Sequence, residues 1–410
     1  MKTTKKYWKG LAQLNNDPIV ENLAQNEFIE QLPVDEFLGD QENLSSTSSS
    51  RRDFLKFLGF STAAATLAAC ETPIVKSIPY LVKPDEIIPG VANYYASTIY
   101  DGRDYASVLV KTREGRPIKI ENNATYSNSR VQASVLSLYD SARLKHPLKD
   151  SKETNWRTVD LEIKEKLEAV NDGKIALLTS TIISPSTENL IKDFSKKYNN
   201  VEHVMLDSTP YDGVLNANMD SFGIRLAPTY SFDKANVIVS FGADFLANWM
   251  ENEYATDYVK GRNPKSGRMS KHYQIETNLS LSGANADNRM QIKPSEQGFL
   301  ISSLYDGIQG KTFDKRLSSI VKGLQSNLSK SIVISNSNDK NVQLIINAIN
   351  QKLGNYNSTI AINKPTNLKQ GNTNKLDNLL SDMKAGNIGA IITYNVNPSY
   401  SLAKATEFNE

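Results

Sequence analysis

The residues best placed to do chemistry sit together near the N-terminus. Ser50-Arg51-Arg52-Asp53-Phe54-Leu55-Lys56 sets two guanidiniums ahead of Phe-Leu-Lys, an apolar run follows from Phe57 to Ala69, and Leu67-Ala68-Ala69-Cys70 ends it. The first part, carried by Arg51, Arg52, Phe54, Leu55 and Lys56, has the form of a twin-arginine export signal. The last part has the form of a lipobox, in which the Cys70 thiol takes the lipid and becomes the first residue after cleavage. The apolar run is about 13 residues, short of the roughly 20 that a spanning helix needs, and its Ala, Thr and Gly suit a cleaved signal. Two alternatives stay open: ordinary cleavage after the small-residue triplet with Cys70 incidental, and a buried helix that happens to follow two arginines. Twin-arginine export carries folded proteins, chiefly those loaded with a cofactor or partner in the cytoplasm. The segment therefore points to the periplasmic side of the bacterial inner membrane, to a lipid anchor at Cys70, and to redox work.

The rest of the chain is sparser in chemistry. Cys70 is the only cysteine, so no intramolecular disulfide and no cysteine-held zinc or iron–sulfur site can be built from this chain alone. His146, His203 and His272 are far apart and fall in no metal-ligand spacing, so they read as structural. A Gly-x-Ser-x-Gly elbow, a Gly-x-Gly-x-x-Gly turn and a phosphate loop are all missing from the sequence. Asp207, Asp212 and Asp244 fall near the ends of expected strands and could bind a ribose or a cation; the plainer alternative is that they cap turns. Spacing alone thus assigns no catalytic, cofactor-binding or metal-binding residue. The net charge of +2, from 47 basic and 45 acidic residues, offers no argument for a nucleic-acid partner.

The elements that would position these residues divide the chain into five stretches. Residues 1–50 form an extended leader with Lys2, Lys5, Lys6 and Lys9, and 51–70 hold the signal and lipobox. Residues 71–94 carry four prolines and read as a tether. Residues 95–150 are a small β-rich region, in which 106–112 and 117–121 form a hairpin about the turn 113–116. Residues 151–410 read as α/β. Helices are expected over 156–170, with Val159, Leu161, Ile163, Leu167 and Val170 in helical spacing, and over 186–198, with Leu190, Ile191 and Phe194 inward and Ser186 or Thr187 as cap. Short apolar runs at 174–179, 201–206, 235–242, 272–276, 290–292, 331–335 and 390–394 read as buried strands. Such alternation implies mostly parallel sheets covered by helices, with any ligand beyond the strands' carboxyl ends. Those ends are Thr179-Ser180, Gly242-Ala243-Asp244, Glu276-Thr277-Asn278 and Tyr394-Asn395.

Several of these pieces, in this order, resemble the molybdopterin oxidoreductase family. The hairpin Val108 to Glu121, the turn Arg143-Leu144-Lys145-His146-Pro147-Leu148 with Trp156 beyond it, and the strand and glycine turn Ala235 to Ala243 each look like a segment of that family. Ala286-Asp287, Ile292-Lys293-Pro294 and Asn397-Pro398 extend the likeness, which runs loosely from about residue 95 to 400. The family implies lobed α/β architecture and a molybdopterin nucleotide. This chain departs where the cofactor would be held. No thiol lies in Ser97 to Tyr105, where the family carries cluster cysteines, and Glu276-Thr277-Asn278-Leu279-Ser280 stands where the family has Asp-Pro-Arg-x-Thr. Ser295-Glu296-Gln297 replaces an expected Gly-x-Asp.

With its long leader, the whole set resembles a narrower group, the large periplasmic subunit of alternative complex III, a quinol-oxidising respiratory complex. That resemblance implies a molybdopterin-like half that has lost its cofactor, iron–sulfur clusters in a continuation past Glu410, and partners comprising a membrane-embedded quinol-binding subunit and haem c subunits. The expected role is a scaffold, itself without catalytic residues, within a membrane-associated electron-transfer subunit. Two alternatives from other classes stand beside it: an active molybdenum-dependent periplasmic oxidoreductase using an oxygen ligand, and a lipid-anchored small-molecule binding protein.

Overall fold

Among the described residues the first regular element begins at Asn93. The computed structural model describes residues 87–410 other than 89, 124–126, 171–172, 199, 251–253 and 268. Arg51, Arg52, Phe54, Leu55, Lys56 and Cys70, the leader and most of the tether lie outside the described residues. Strands β1 (Asn93–Tyr100), β2 (Tyr105–Arg113) and β3 (Arg116–Asn122) form an antiparallel sheet in the order β1-β2-β3. The expected hairpin is β2–β3, closed by Glu114-Gly115 with φ of 50° and 76°, the two-residue turn that suits the right-handed twist of its strands. β1 was not expected as a strand: most of its side chains are exposed, so it carries no inward apolar period to read. Ala106, Val108 and Ile120 pack with Val131 from a short helical turn to make this sheet's core. A second, minimal hairpin follows, β4 (Leu148–Lys149) with β5 (Lys152–Glu153).

From there the chain alternates. It runs α1 (Trp156–Glu168), β6 (Lys174–Thr179), α2 (Pro185–Lys197), β7 (Val201–Met205), α3 (Asp212–Phe222), β8 (Ala227–Tyr230), β9 (Val237–Phe241), α4 (Tyr254–Lys260), β10 (Lys271–Glu276) and β11 (Asn288–Gln291). It continues through α5 (Gln297–Ile308), α6 (Ser318–Gln325), β12 (Ser331–Ser335), α7 (Lys340–Lys352), β13 (Ile360–Thr366), α8 (Thr373–Lys384) and β14 (Ile388–Tyr394). Two all-parallel sheets result, ordered β14-β6-β7 and β11-β10-β9-β12, while β13 and β8 pair antiparallel. The α/β expectation with mostly parallel, helix-covered sheets is met. β8 and β13 were missed because their partners are about 130 residues away in sequence and the register breaks between Ala361 and Thr366.

The second sheet is buried on both faces. One face packs Val239, Phe241 and Val333 against Leu300, Leu304, Ile320 and Ile349 from α5, α6 and α7. The other meets an aromatic cluster in which Phe232 and Phe245 stack at 4.4 Å and Tyr254, Tyr258 and Trp249 close round them. The first sheet is covered less evenly. Leu376 and Leu379 of α8 pack on Ala176, Leu178 and Val204, whereas α1 buries only Leu167 and α2 buries nothing fully. Leu161 and Ile163 of α1 and Leu190 of α2, expected inward, are exposed. Ile191 and Phe194 of α2 do turn inward, joined by Thr187, and the cap is Ser184 rather than Ser186 or Thr187: its Oγ accepts from the Thr187 N–H, with Pro185 in the first turn. Among the described residues no helix is long and apolar enough to cross a membrane.

Candidate functional site

The order β11-β10-β9-β12 has a consequence for ligand binding. The chain steps from β9 to β10 to β11 in one direction, then returns to place β12 on the other side of β9. That is the arrangement of a mononucleotide-binding half, and the switch point lies between the carboxyl ends of β9 and β12. The residues there are Gly242, Asp244, Glu276, Ser335 and Asn336. In an open site of this kind the glycine admits a phosphate and the acid at the end of the second strand takes a ribose.

Here both positions are taken by the chain itself. Gly242 has φ of +71°, and a Cβ there would lie 2.7 Å from the Asn336 Oδ1. Gln297, the first residue of α5, drapes over the same point: its Nε2 lies 3.0 Å from the Phe241 carbonyl, 3.0 Å from Ser335 Oγ and 2.9 Å from Asn336 Oδ1. Glu276 is turned inward, 4% exposed. It accepts from Arg289 Nε at 2.6 Å, Ser280 Oγ at 2.5 Å, the Ser280 N–H at 3.2 Å and Gln274 Nε2 at 3.1 Å. Burial works to raise its pKa, but the hydrogen bonds from Ser280, Arg289 and Gln274 outweigh it and hold it below the usual carboxylate value. Gly283 supplies the room this requires, since an added Cβ would overlap the Glu276 carboxylate. Asp244 is likewise committed, accepting from the Ser282 N–H at 2.9 Å and Ser282 Oγ at 2.8 Å. The residues at this crevice do not fit a pterin nucleotide: the space a phosphate would enter above Gly242 and the acid a ribose would need are both in use.

Behind Glu276 runs a buried polar ladder along one face of β10, His272, Gln274 and Glu276, two residues apart as a strand requires. Gln274 gives its amide N–H to Glu276, so its oxygen faces His272 Nε2 at 3.1 Å and that nitrogen carries the proton. His272 Nδ1 then meets the Tyr258 hydroxyl at 3.2 Å, whose one proton is shared with the Asn285 carbonyl 3.0 Å away. Burial pushes the His272 pKa down to about 4, so the imidazole is neutral.

The first sheet ends differently. Asp207, just past β7, accepts from Thr181 Oγ1 at 2.8 Å and from the Gly371 N–H at 2.8 Å. Tyr100, from β1, donates to the Thr181 carbonyl at 2.6 Å; Asn395 Nδ2 lies 3.1 Å from Ser180 Oγ. Into this group comes Lys369, 5% exposed, whose ammonium lies 3.3 Å from the Gly102 carbonyl. Burial lowers its pKa and attraction from Asp207 offsets this only in part. Beside it Asp104 is held by Arg130 Nε at 2.6 Å and Asn128 Nδ2 at 3.0 Å, in the stretch where the resembling family has cluster cysteines. Beyond β7 a cleft of about 260 Å³ remains, lined by Leu206, Asp207, Pro210, Leu376 and Leu402 among others.

The structure does not bring the three histidines together. His203 is on β7, with Nε2 2.9 Å from Thr179 Oγ1, His272 is on β10, and His146 is exposed in the loop before β4. Asp212 is bound by Arg225 at 3.0 Å and by Thr373 Oγ1 at 2.5 Å. All three aspartates flagged in the sequence serve as internal acceptors. Lys369 and Asn336 were missed, and no spacing signal marks them, because each acts on residues distant in sequence; Gln297 was noted in Ser295-Glu296-Gln297 only as a departure from Gly-x-Asp, and its reach to Ser335 and Asn336 was not foreseen.

Comparison with known proteins places the fold. No family model matches the chain, and no curated protein matches it. Among solved structures it is similar to an acetylene hydratase from Pelobacter acetylenicus, with a TM-score of 0.50 and 13% sequence identity over 65% of this chain and 44% of that one. A formyltransferase/hydrolase complex from Methylorubrum extorquens, in complex with methylofuran, gives a TM-score of 0.37 and 12% identity over 49% of this chain and 55% of that one. The chain thus spans less than half the length of the acetylene hydratase chain, and what the two share is the mixed α/β fold with mostly parallel sheets.

Proposed function

We propose that this chain is a cofactor-free scaffold with the fold of the molybdopterin oxidoreductases, forming part of a membrane-associated respiratory electron-transfer subunit of the alternative complex III kind. The observation that carries the cofactor-free part is the self-filled switch point: Asn336 and Gln297 over Gly242, and Glu276 locked by Arg289 and Ser280. The fold likeness to acetylene hydratase supports the broader resemblance drawn from the hairpin, the Arg143 to Leu148 turn and the Gly242 turn. The export signal at Arg51-Arg52 and the lipobox at Cys70 support attachment on the periplasmic side of the inner membrane. On this reading the chain organises an iron–sulfur half and docks quinol-binding and haem c subunits, while electrons pass elsewhere.

The test is the molybdenum, pterin and iron content of the natively purified, detergent-extracted protein. No molybdenum or pterin is the expected result, with any iron coming from the iron–sulfur half and the haem c partners and none from this chain's own residues. Molybdenum near one per chain would overturn the scaffold reading in favour of an active oxidoreductase. A monomer that needs no redox partner and takes a small ligand between lobes would favour a binding protein instead.

A further inference from the structure

Between the antiparallel sheet and α1 the chain exposes side chains that such a loop ordinarily hides. Leu136, Leu138, Tyr139, Leu144, Leu148 and Trp156 are all exposed, from 46% at Leu148 to 73% at Leu144. Arg143, Lys145, Lys149, Lys152 and Arg157 are interleaved with them and outnumber Asp140, Asp150 and Glu153. Among the described residues only Lys149 of these cations has a carboxylate partner, Glu162 at 2.6 Å. The loop is nonetheless shaped. Asp150 and Ser151, with φ of 51° and 64°, make the tight turn between β4 and β5, and the Thr154 N–H closes on the Pro147 carbonyl at 3.0 Å. Within this hairpin Lys149 stands directly opposite Lys152; Glu162 answers Lys149, and Lys152 is left facing outward.

Single leucines and a tryptophan set among cations are the composition of segments that lie in a headgroup layer, where indole sits at the interface and ammonium groups meet phosphates. We propose that residues 136–157 are a membrane-contact loop, which seats Leu144, Leu148 and Trp156 among the headgroups of an anionic phospholipid surface while Arg143, Lys145, Lys152 and Arg157 meet the phosphates. This rests on the membrane attachment proposed above and adds to it a contact that would orient the domain on the surface, since a multiply acylated cysteine anchors firmly but only as a flexible point. An acidic protein would also meet the cations, but the exposed apolar side chains alternate with them along the sequence, so a partner must take both kinds together, as a headgroup layer does.

The experiment uses the full chain carrying Cys70→Ser and Trp8→Phe, so that no acyl anchor is present and Trp156 and the buried Trp249 are the remaining indoles. Co-sedimentation with vesicles containing phosphatidylglycerol should exceed that with phosphatidylcholine alone by about tenfold or more, and should fall with added salt. Brominated lipid should quench Trp156 fluorescence. Leu144→Ser with Leu148→Ser, which keeps Trp156 as the reporter, should abolish the quenching, and Lys145→Glu with Lys152→Glu should cut binding at least about tenfold. All four positions are exposed, so the urea midpoints of these variants should match the parent's. Unchanged vesicle binding in both variants, absence of binding, or capture by an acidic protein without vesicle binding would each overturn the proposal. Mass analysis of the Cys70 peptide from the unaltered chain is a separate readout: an unmodified Cys70 with vesicle binding intact would remove the anchor and leave the loop.

Discussion

At the carboxyl ends of β9 and β10 the crevice is closed by the same lobe, with Glu276 meeting Ser280 and Arg289 4 and 13 residues away. At the carboxyl ends of β6 and β7 the closing groups come from afar: Gly371 reaches Asp207 across 164 residues, and Lys369 reaches Gly102 across 267. The first closure uses a carboxylate that has gathered its cation; the second buries an amine that donates to a backbone carbonyl. Burial of charge is therefore a local bargain in one sheet and a cost of joining distant segments in the other, so the two should answer differently to the same kind of substitution.

The largest contrast should come from the ion pairs. Arg289→Met leaves Glu276 buried without its cation and should cost about 3 to 4 kcal/mol in urea unfolding. If it costs under about 1 kcal/mol, the crevice is not locked by this pair. Next comes the acid limb. The His272 pKa falls from its ordinary 6.5 to about 4 on folding, so the unfolded chain binds more protons between those values. Stability should drop by about 3 kcal/mol as pH falls from 6.5 to 4, and His272→Leu should flatten that limb. A limb of equal slope in the variant would place the titration elsewhere.

At the other closure, Gly102 has φ of +85° and an added Cβ would lie 2.9 Å from the Ser180 Cβ. Gly102→Ala should cost about 2 kcal/mol, read as a lowered Tm, by prising the turn off the first sheet. The smallest effect belongs to Lys369→Met, which should stay within about 1 kcal/mol of the parent because Asp207 keeps its hydrogen bonds to Thr181 and Gly371. Its pH signature is sharper than its size. The Lys369 pKa is lowered on folding, so the parent should gain stability relative to the variant as pH rises toward 10.5. A large loss in this variant would show that the amine is a partner the junction requires.

Much of the fold was legible because it rests on short-range patterning. The runs at 174–179 and 331–335 are strands with those bounds, and 113–116 is the turn, since β-branched runs and Glu-Gly turns act within a few residues. Gly242 and Glu276 were read as strand-end residues from the same patterning. What could not be read was which face of α1 and α2 is covered: apolar spacing marked Leu161 and Leu190, yet the sheet beneath is three strands wide and both are exposed.

The sequence by itself determined the kind of elements, their alternation and the single thiol, because propensity, hydrophobic period and composition are properties of neighbouring residues. Only the tertiary structure decided whether the switch point is open. Asn336 covers Gly242 from almost a hundred residues away, and Lys369 finds Gly102 across most of the domain. No local rule links such pairs; they meet because parallel strands must be joined by long crossovers, which bring residues remote in sequence to one edge of a sheet.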